Sequence, residues 1–228
     1  MDRVKPRTSS CVLIGDLVGS REVPDRAALH DALAAALSTV DAVRPSRDGL
    51  RVTVGDEFQG SYPTLGEALD VALRVRLLLW PDADVRVGVG RGTVTVLDPG
   101  RGIEDGPAWW AARAAVEAVE AAADRAPTRL LRTGLRTADG PEDRVAEPGL
   151  DTSGPGAAVN AALLCQDHLV GSLSDRSRRL LRGLMDTETT QADLAAAEGI
   201  SASAVSQRVR ADGIGAVLAS HRLLRDLP

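Results

Sequence analysis

Aromatic residues are scarce in this chain. Three Trp, one Tyr and one Phe make up 2% of 228 residues. Any core must therefore be built from Leu, Val and Ala, and a hydrophobic fraction of 44% is enough for one. Charge of one sign is also lacking. The 27 basic and 32 acidic residues leave a net charge of −5, so no global field attracts nucleic acid, and any DNA contact must come from a local patch. Lys5 is the single lysine among the basic residues. The two cysteines, Cys11 and Cys165, sit in apolar contexts and are expected to be buried free thiols in a reducing compartment. His30, His168 and His221 are isolated, without metal-ligand spacing. Long hydrophobic runs are missing too. Cys11 to Val18 is interrupted by Asp16, and nothing approaches the ~20 apolar residues of a membrane span. A cytoplasmic protein without a membrane span is expected.

Apolar periodicity predicts a first strand ending near Val18, a helix over 27–43, strands over 50–54 and 58–62, a helix over 65–79 and a strand over 85–89 that Thr93 to Leu97 extend. A helix over 108–123 follows, and Leu130 and Leu131 are assigned to a short last strand. The order strand-helix-strand-strand-helix-strand is that of a split βαβ, or ferredoxin-like, sheet. Residues 134–156 are polar and rich in Gly, Pro and Asp, which suggests a linker or flexible loop. Everything beyond is helical. The expected fold class is α+β: a palm-like domain over 1–133, then an all-α domain over 157–228.

Two apolar runs deliver acids at their ends. Asp16 closes Val12-Leu-Ile-Gly-Asp-Leu-Val-Gly-Ser20, and Asp56 with Glu57 lies in the turn of Val52-Thr-Val-Gly-Asp-Glu-Phe-Gln-Gly60. Neighbouring strands would bring these carboxylates together, and clustered carboxylates repel unless a cation lies between them. Asp16, Asp56 and Glu57 are therefore candidate ligands of Mg²⁺ or Mn²⁺, serving a nucleotide's phosphates. The backbone of Leu17, Val18, Gly19 and Ser20 is a candidate phosphate cradle, and Gly55 lets a ligand approach the hairpin.

With these residues the first 130 or so positions resemble the palm domain of class III nucleotidyl cyclases and GGDEF-type diguanylate cyclases. The resemblance implies that Asp16 and Asp56, with Glu57, hold metal ions over a nucleoside triphosphate. Gly88-Val-Gly-Arg-Gly-Thr-Val94 looks like the cyclases' glycine-containing strand, and Gly106-Pro-Ala-Trp-Trp-Ala-Ala-Arg-Ala114 like their helix ending in Ala-Ala-Arg. Arg113 then falls where those enzymes carry a catalytic, transition-state arginine. Trp109 stands where they carry Asn, and Leu50 to Val52 hold no counterpart of their base-selecting Lys. Over the whole chain, Gly15-Asp-Leu-Val-Gly-Ser-Arg21, Gly55-Asp-Glu-Phe-Gln-Gly60, Asp105-Gly-Pro-Ala-Trp-Trp-Ala-Ala-Arg113 and the C-terminal helices resemble the SatD family.

Thr190 to Arg210 reads as a helix-turn-helix, similar to sigma-factor region four. Thr190 and Asp193 suit a capping box, Gly199 the turn, and Ser201 the second cap. Val205 and Val209 face inward. Ser201, Ser203, Ser206, Gln207, Arg208 and Arg210 are candidate contacts to double-stranded DNA. The main expectation is a nucleotide-responsive, homodimeric DNA-binding regulator of transcription. The alternative is a cyclase-like nucleotidyltransferase, and a third possibility is a palm kept only as a dimerisation scaffold.

Overall fold

The computed structural model describes residues 6–98, 100–138, 148–186 and 188–228. The chain forms strands β1 (Pro6–Leu17), β2 (Arg51–Val52), β3 (Phe58–Tyr62), β4 (Val85–Asp98), β5 (Ile103–Asp105) and β6 (Thr133–Thr137). Its helices are α1 (Arg26–Val43), α2 (Leu65–Leu79), α3 (Pro107–Ala123), α4 (Gly154–Ser172), α5 (Asp175–Leu184), α6 (Gln191–Glu198), α7 (Ala202–Ala211) and α8 (Ile214–Arg225). The strands form one mixed sheet in the order β2-β3-β1-β4-β5, with β6 also on β4. β1 runs antiparallel to β3 and to β4, and β6 lies parallel to β4. The segment from β1 to β4 has the expected ferredoxin-like order, and β5, α3 and β6 extend it.

β1 is apolar from Cys11 to Ile14 because both its faces are covered there. Cys11, Leu13 and Leu17 join the large core with residues of α1 and α2, while Val12 and Ile14 pack under Ala108, Ala112 and Val116 of α3. Asp16 follows Ile14 at the same two-residue spacing, so the strand's alternation brings it out on the α3 face.

α3 lies almost against the backbone of β4. A Cβ at Gly88 would collide with Ala112 and Val116, and one at Gly90 with Ala108 and Ala112. The row Gly92, Gly90, Gly88, Arg86 on the strand thus runs beside Ala108, Ala112, Val116, Glu120 on the helix. Glycine and alanine bring the two backbones together, and the row ends in an ion pair, Arg86 Nη1 to Glu120 Oε1 at 2.6 Å. The glycines of this strand serve helix packing.

α2 is buried nearly all round, the mark of a helix with packed elements on both sides. One side faces the sheet, and Leu73 and Leu77 on the other join Leu180, Leu181, Val205 and Ile214 of the C-terminal helices in a second cluster. Leu163 of α4 and Leu224 of α8 belong to the core that covers the sheet. Polar ties reinforce this: Arg76 bonds Asp167 and Asp84, each at 2.8 Å, and Arg132 bonds Asp84 at 2.9 Å. No helix among the described residues is long and apolar enough to cross a membrane.

Several expected boundaries move. The last strand is Thr133–Thr137, beyond Leu130 and Leu131, where the Leu131 amide closes a turn onto Thr128. Gly134 looked like the start of a loop, but it is a packing glycine: a Cβ there would strike Leu150 and Val119. Within the 134–156 stretch expected to be a linker, residues 139–147 lie outside the described residues. Beyond them, Gly149 donates to the Ala114 carbonyl and Asp151 to the Leu135 carbonyl, so this segment is bonded to the sheet and α3. β5 sits in the stretch between Leu97 and the following helix, where no element was expected, and β2 is shorter than expected. Cys11 is buried as expected, but Cys165 is exposed, because α4 turns Leu163, Gln166, Asp167 and Val170 inward instead.

Candidate functional site

Strand register creates the first half of the site. Asp16, one residue from the end of β1, is the direct partner of Arg86 on β4. Arg86 Nε donates to Asp16 Oδ1 at 2.8 Å while its Nη1 reaches Glu120 on α3. Burial pushes the Asp16 carboxyl above its ordinary value against the pull of Arg86, and the nearby Glu120 and Asp56 charges push the same way.

The β2–β3 hairpin supplies the second half. Thr53 and Glu57 close it through Thr53 N–H to the Glu57 carbonyl at 2.8 Å and Glu57 N–H to the Val54 carbonyl at 3.0 Å. Gly55 takes φ of 66° there, a conformation open to glycine. β1 lies beside β3, so Asp56 and Glu57 arrive next to Asp16. Arg113 projects from α3 and grips Glu57 with both nitrogens, Nη1 to Oε2 at 2.6 Å and Nη2 to Oε1 at 2.8 Å. That pairing, more than the opposing effect of burial, raises the Arg113 pKa, so the side chain is a fixed cation.

Between these halves opens a cavity of about 500 Å³, bordered by Asp16, Leu17, Gly19, Ser20, Arg21, Glu22, Val54, Asp56, Glu57, Arg86 and Glu120. Five carboxylates face two guanidinium groups, so the cavity attracts cations, and an anion enters favourably only with one. Leu17 is buried under α1 and α2, and the Val18 amide donates to the Asp84 carbonyl at 2.9 Å. Of the backbone expected to cradle phosphate, Gly19, left-handed at φ 70°, and Ser20 remain as cavity-lining positions beyond the ladder. Gly55 borders a small adjoining recess with Asp56, Ser20 and Arg26.

Among the described residues, no group of three or more His, Cys, Asp or Glu is arranged to hold a metal. The three-acid set expected from the sequence is therefore not assembled, because both Glu57 oxygens are taken by Arg113. Asp16 and Asp56 remain. Asp16 Oδ2 and the Asp56 carboxylate accept no hydrogen bond among the described residues, and both residues border the cavity. The Asp56 carboxylate and the second oxygen of Asp16, whose Oδ1 is held by Arg86, fit the way Mg²⁺ is commonly bound, with its other positions filled by water and substrate phosphates.

Trp109 and Trp110 diverge as adjacent helical residues must. Trp109 packs against the α3–sheet cluster, and Trp110 donates its indole N–H to Asp105 at 2.9 Å. Arg86 and Glu120 were missed in the sequence. The only signal for them was the shared row of Arg86, Gly88 and Gly90, legible once that strand is known to lie against α3.

At the other end of the chain, Thr190 and Asp193 form a full capping box, Gly199 is left-handed at φ 61°, and Ser201 caps α7 by accepting from Ala204. Val205 is buried. Ser201, Ser203, Gln207 and Arg210 are exposed, Ser206 is half-buried, and Arg208 leans on Asp212 at 3.4 Å.

A ferredoxin-like sheet extended by a helix on its second face, with acids from β1 and the β2–β3 hairpin fronting one cavity, defines an α+β protein. The chain belongs to the SatD family, whose sequence profile matches residues 11–227. Among solved structures, it is similar to the catalytic core of a rhodopsin-guanylyl cyclase with converted specificity, in complex with ATPαS. The identity is 17%, over 49% of this chain and 72% of that one, at a TM-score of 0.43. The adenylate/guanylate cyclase/hydrolase from Silicibacter pomeroyi is similar at 19% identity over 48% of this chain and 69% of that one, with a TM-score of 0.39. A bacterial light-regulated adenylyl cyclase is similar at 12% identity over 58% of this chain, with a TM-score of 0.46, and the match covers 44% of that protein. No curated protein matches the sequence.

Proposed function

We propose that the cavity at the Asp16 end of the sheet binds a nucleoside triphosphate together with Mg²⁺ or Mn²⁺, and that the chain acts on it as a cyclase-like nucleotidyltransferase. One observation carries this: Asp16 and Asp56, from a strand end and the neighbouring hairpin, front one cavity with free carboxylate oxygens. Arg113 does not line that cavity but is held on Glu57, which does. Asp16 and Asp56 would hold the cation, which when bound offsets phosphate charge and polarises the phosphoryl oxygens. Gly19 and Ser20 line the side from which phosphates would enter, and Arg21 and Arg86 supply the cavity's positive charge. Arg113 is a rigid fork suited to a phosphate once Glu57 lets it go. Trp109 packs where the cyclase helix carries a polar Asn, so the cyclases' base choice and cyclisation geometry do not carry over to this chain.

The decisive experiment incubates the protein with each of the four triphosphates and Mg²⁺ or Mn²⁺, with product analysis, alongside titration calorimetry of Asp16→Ala and Asp56→Ala. Unchanged divalent-dependent nucleotide binding in both variants would remove this site.

A second reading is a nucleotide-responsive transcriptional regulator, with homodimers reading DNA through α7. The capped α6–α7 pair and the exposure of Ser203, Gln207 and Arg210 favour it. Gel shifts with and without nucleotide test it.

A further inference from the structure

We propose that Arg86 is a built-in counter-ion of Asp16 that competes with the divalent cation, and that Glu120 receives the displaced guanidinium when the cation binds. The inference rests on the metal-nucleotide reading of this cavity and assigns Arg86 a positioning role within it.

Arg86 is shared between two carboxylates of different character. Its Nε holds Asp16, whose side chain keeps 27% of its exposure, and its Nη1 holds Glu120, which keeps 60%. Strand pairing fixes Arg86 directly opposite Asp16, so the contact does not depend on a flexible loop. The Arg86 side chain, only 16% exposed, is too confined to leave for solvent. Giving up the Nε contact while keeping the Nη1 contact is the smallest change that clears Asp16 Oδ1. Without a partner, Asp16 would be a half-buried charge beside Asp56 and Glu120, and Arg86 relieves that repulsion. A cation entering between Asp16 and Asp56 does the same and makes Arg86 redundant there. Glu120 keeps the guanidinium neutralised after the exchange, so the site passes between two states without stranding a charge. The lock also gives selectivity: a monovalent ion offers Asp16 no more charge than Arg86 does, whereas a divalent ion does.

The test is Mn²⁺ binding followed by the electron paramagnetic resonance signal of free Mn²⁺, without nucleotide and then with a non-hydrolysable triphosphate. Arg86→Gln should bind Mn²⁺ more tightly than the parent by about five- to tenfold, the scale of one partly exposed ion pair. Glu120→Gln, at an exposed position that leaves folding intact, should bind it several-fold more weakly, because Arg86 then has only Asp16. Asp16→Asn should abolish binding. If Arg86→Gln and Glu120→Gln bind Mn²⁺ like the parent while Asp16→Asn does not bind, the counter-ion role is wrong and the metal site stands. If Asp16→Asn binds like the parent, the metal site itself is wrong. Should Arg86→Gln misfold by circular dichroism, Arg86→Met, which keeps the aliphatic stem but not the charge, takes its place, and Mn²⁺ binding like the parent's would overturn the counter-ion role.

Discussion

Arg113 and Glu57, 56 positions apart in the chain, meet as a two-pronged ion pair at 2.6 and 2.8 Å. The pair ties α3 to the β2–β3 hairpin and keeps the one arginine expected to meet phosphate engaged by a carboxylate. Arg113 is 45% exposed, so the pair contributes less than about 1 kcal/mol to stability.

Arg113→Ala should therefore lower the melting temperature by only a few degrees. Triphosphate affinity should fall about tenfold or more, the value of a charge-assisted contact. Glu57→Gln should do the reverse and tighten triphosphate binding by freeing the guanidinium. Calorimetry on both variants beside thermal melts checks this. Unchanged triphosphate affinity in both, with a large loss of stability in Arg113→Ala, would make the pair purely structural.

The close approach of α3 to β4 makes a steric prediction. Gly90→Ala would drive a methyl into the Ala108 carbonyl and the Ala112 amide, both backbone atoms that cannot move aside. A loss of about 3 kcal/mol is expected, the upper range for overpacking. Gly92→Ala meets Ala108 N at 3.1 Å and the Ala138 methyl at 3.2 Å, tight but not overlapping. It should cost about 1 kcal/mol. Urea melts of the two variants should rank them in that order, and equal midpoints would show that α3 does not sit against the strand.

Stability in acid should depend on Asp70. It is fully buried on α2 and bonded to His221 at 2.7 Å, Arg44 at 2.6 Å and Arg74 at 3.0 Å, joining α1, α2 and α8. Burial alone would raise its pKa, but His221 and Arg74 outweigh that and hold the carboxyl well below the usual range. A depressed folded pKa stabilises above the unfolded value, about 3.9, and that contribution is lost as pH falls below about 5. Asp70→Asn should cost about 2 kcal/mol at neutral pH, because it takes a fully buried carboxylate away from the partly exposed Arg44 and Arg74 and from the buried His221. It should also flatten the acid limb of the stability curve between about pH 5 and 2. Denaturant midpoints measured across pH for parent and variant decide it, and parallel acid limbs would refute it.

Local signals made much of the fold legible. Leu29, Leu33, Leu37 and Val40 mark α1 by spacing alone, and Thr64, Thr190 and Ser201 cap where their side chains suggest. Asp16 and the Asp56 hairpin could be brought together on paper because β1 was expected beside β3. What failed were glycines with two possible meanings. Gly88 and Gly90 resemble the cyclases' glycine-containing strand and turn, and Gly134 the start of a linker, yet each is small because a neighbouring segment crosses it. Period and composition do not distinguish a glycine that bends from one that is overlaid. The partners of the acids were equally hidden. Arg86 and Arg113 reach Asp16 and Glu57 only through strand register and the approach of α3, which are long-range facts.

The exposed face of α7 gives a last prediction, for the DNA-reading alternative. Val205 is buried and Val209 packs behind it, so Gln207 and Arg210 point outward from the helix that follows the Gly199 turn. Residues 171–228 carry eight arginines against seven acids, and Arg179 is paired with Glu198, so the electrostatic contribution is small and affinity should be modest. Gln207→Ala should relax sequence preference by about 1–3 kcal/mol at one base pair. Arg210→Ala should weaken every sequence alike and lower the salt slope by about one unit. In a homodimer the two α7 helices would meet half-sites about 34–36 Å apart, one turn of duplex. Gel shifts against the protein's own upstream region at low salt, with and without triphosphate, are the direct trial. No retardation in either condition would leave the α6–α7 pair as a packing element on α2 and remove DNA from the protein's function.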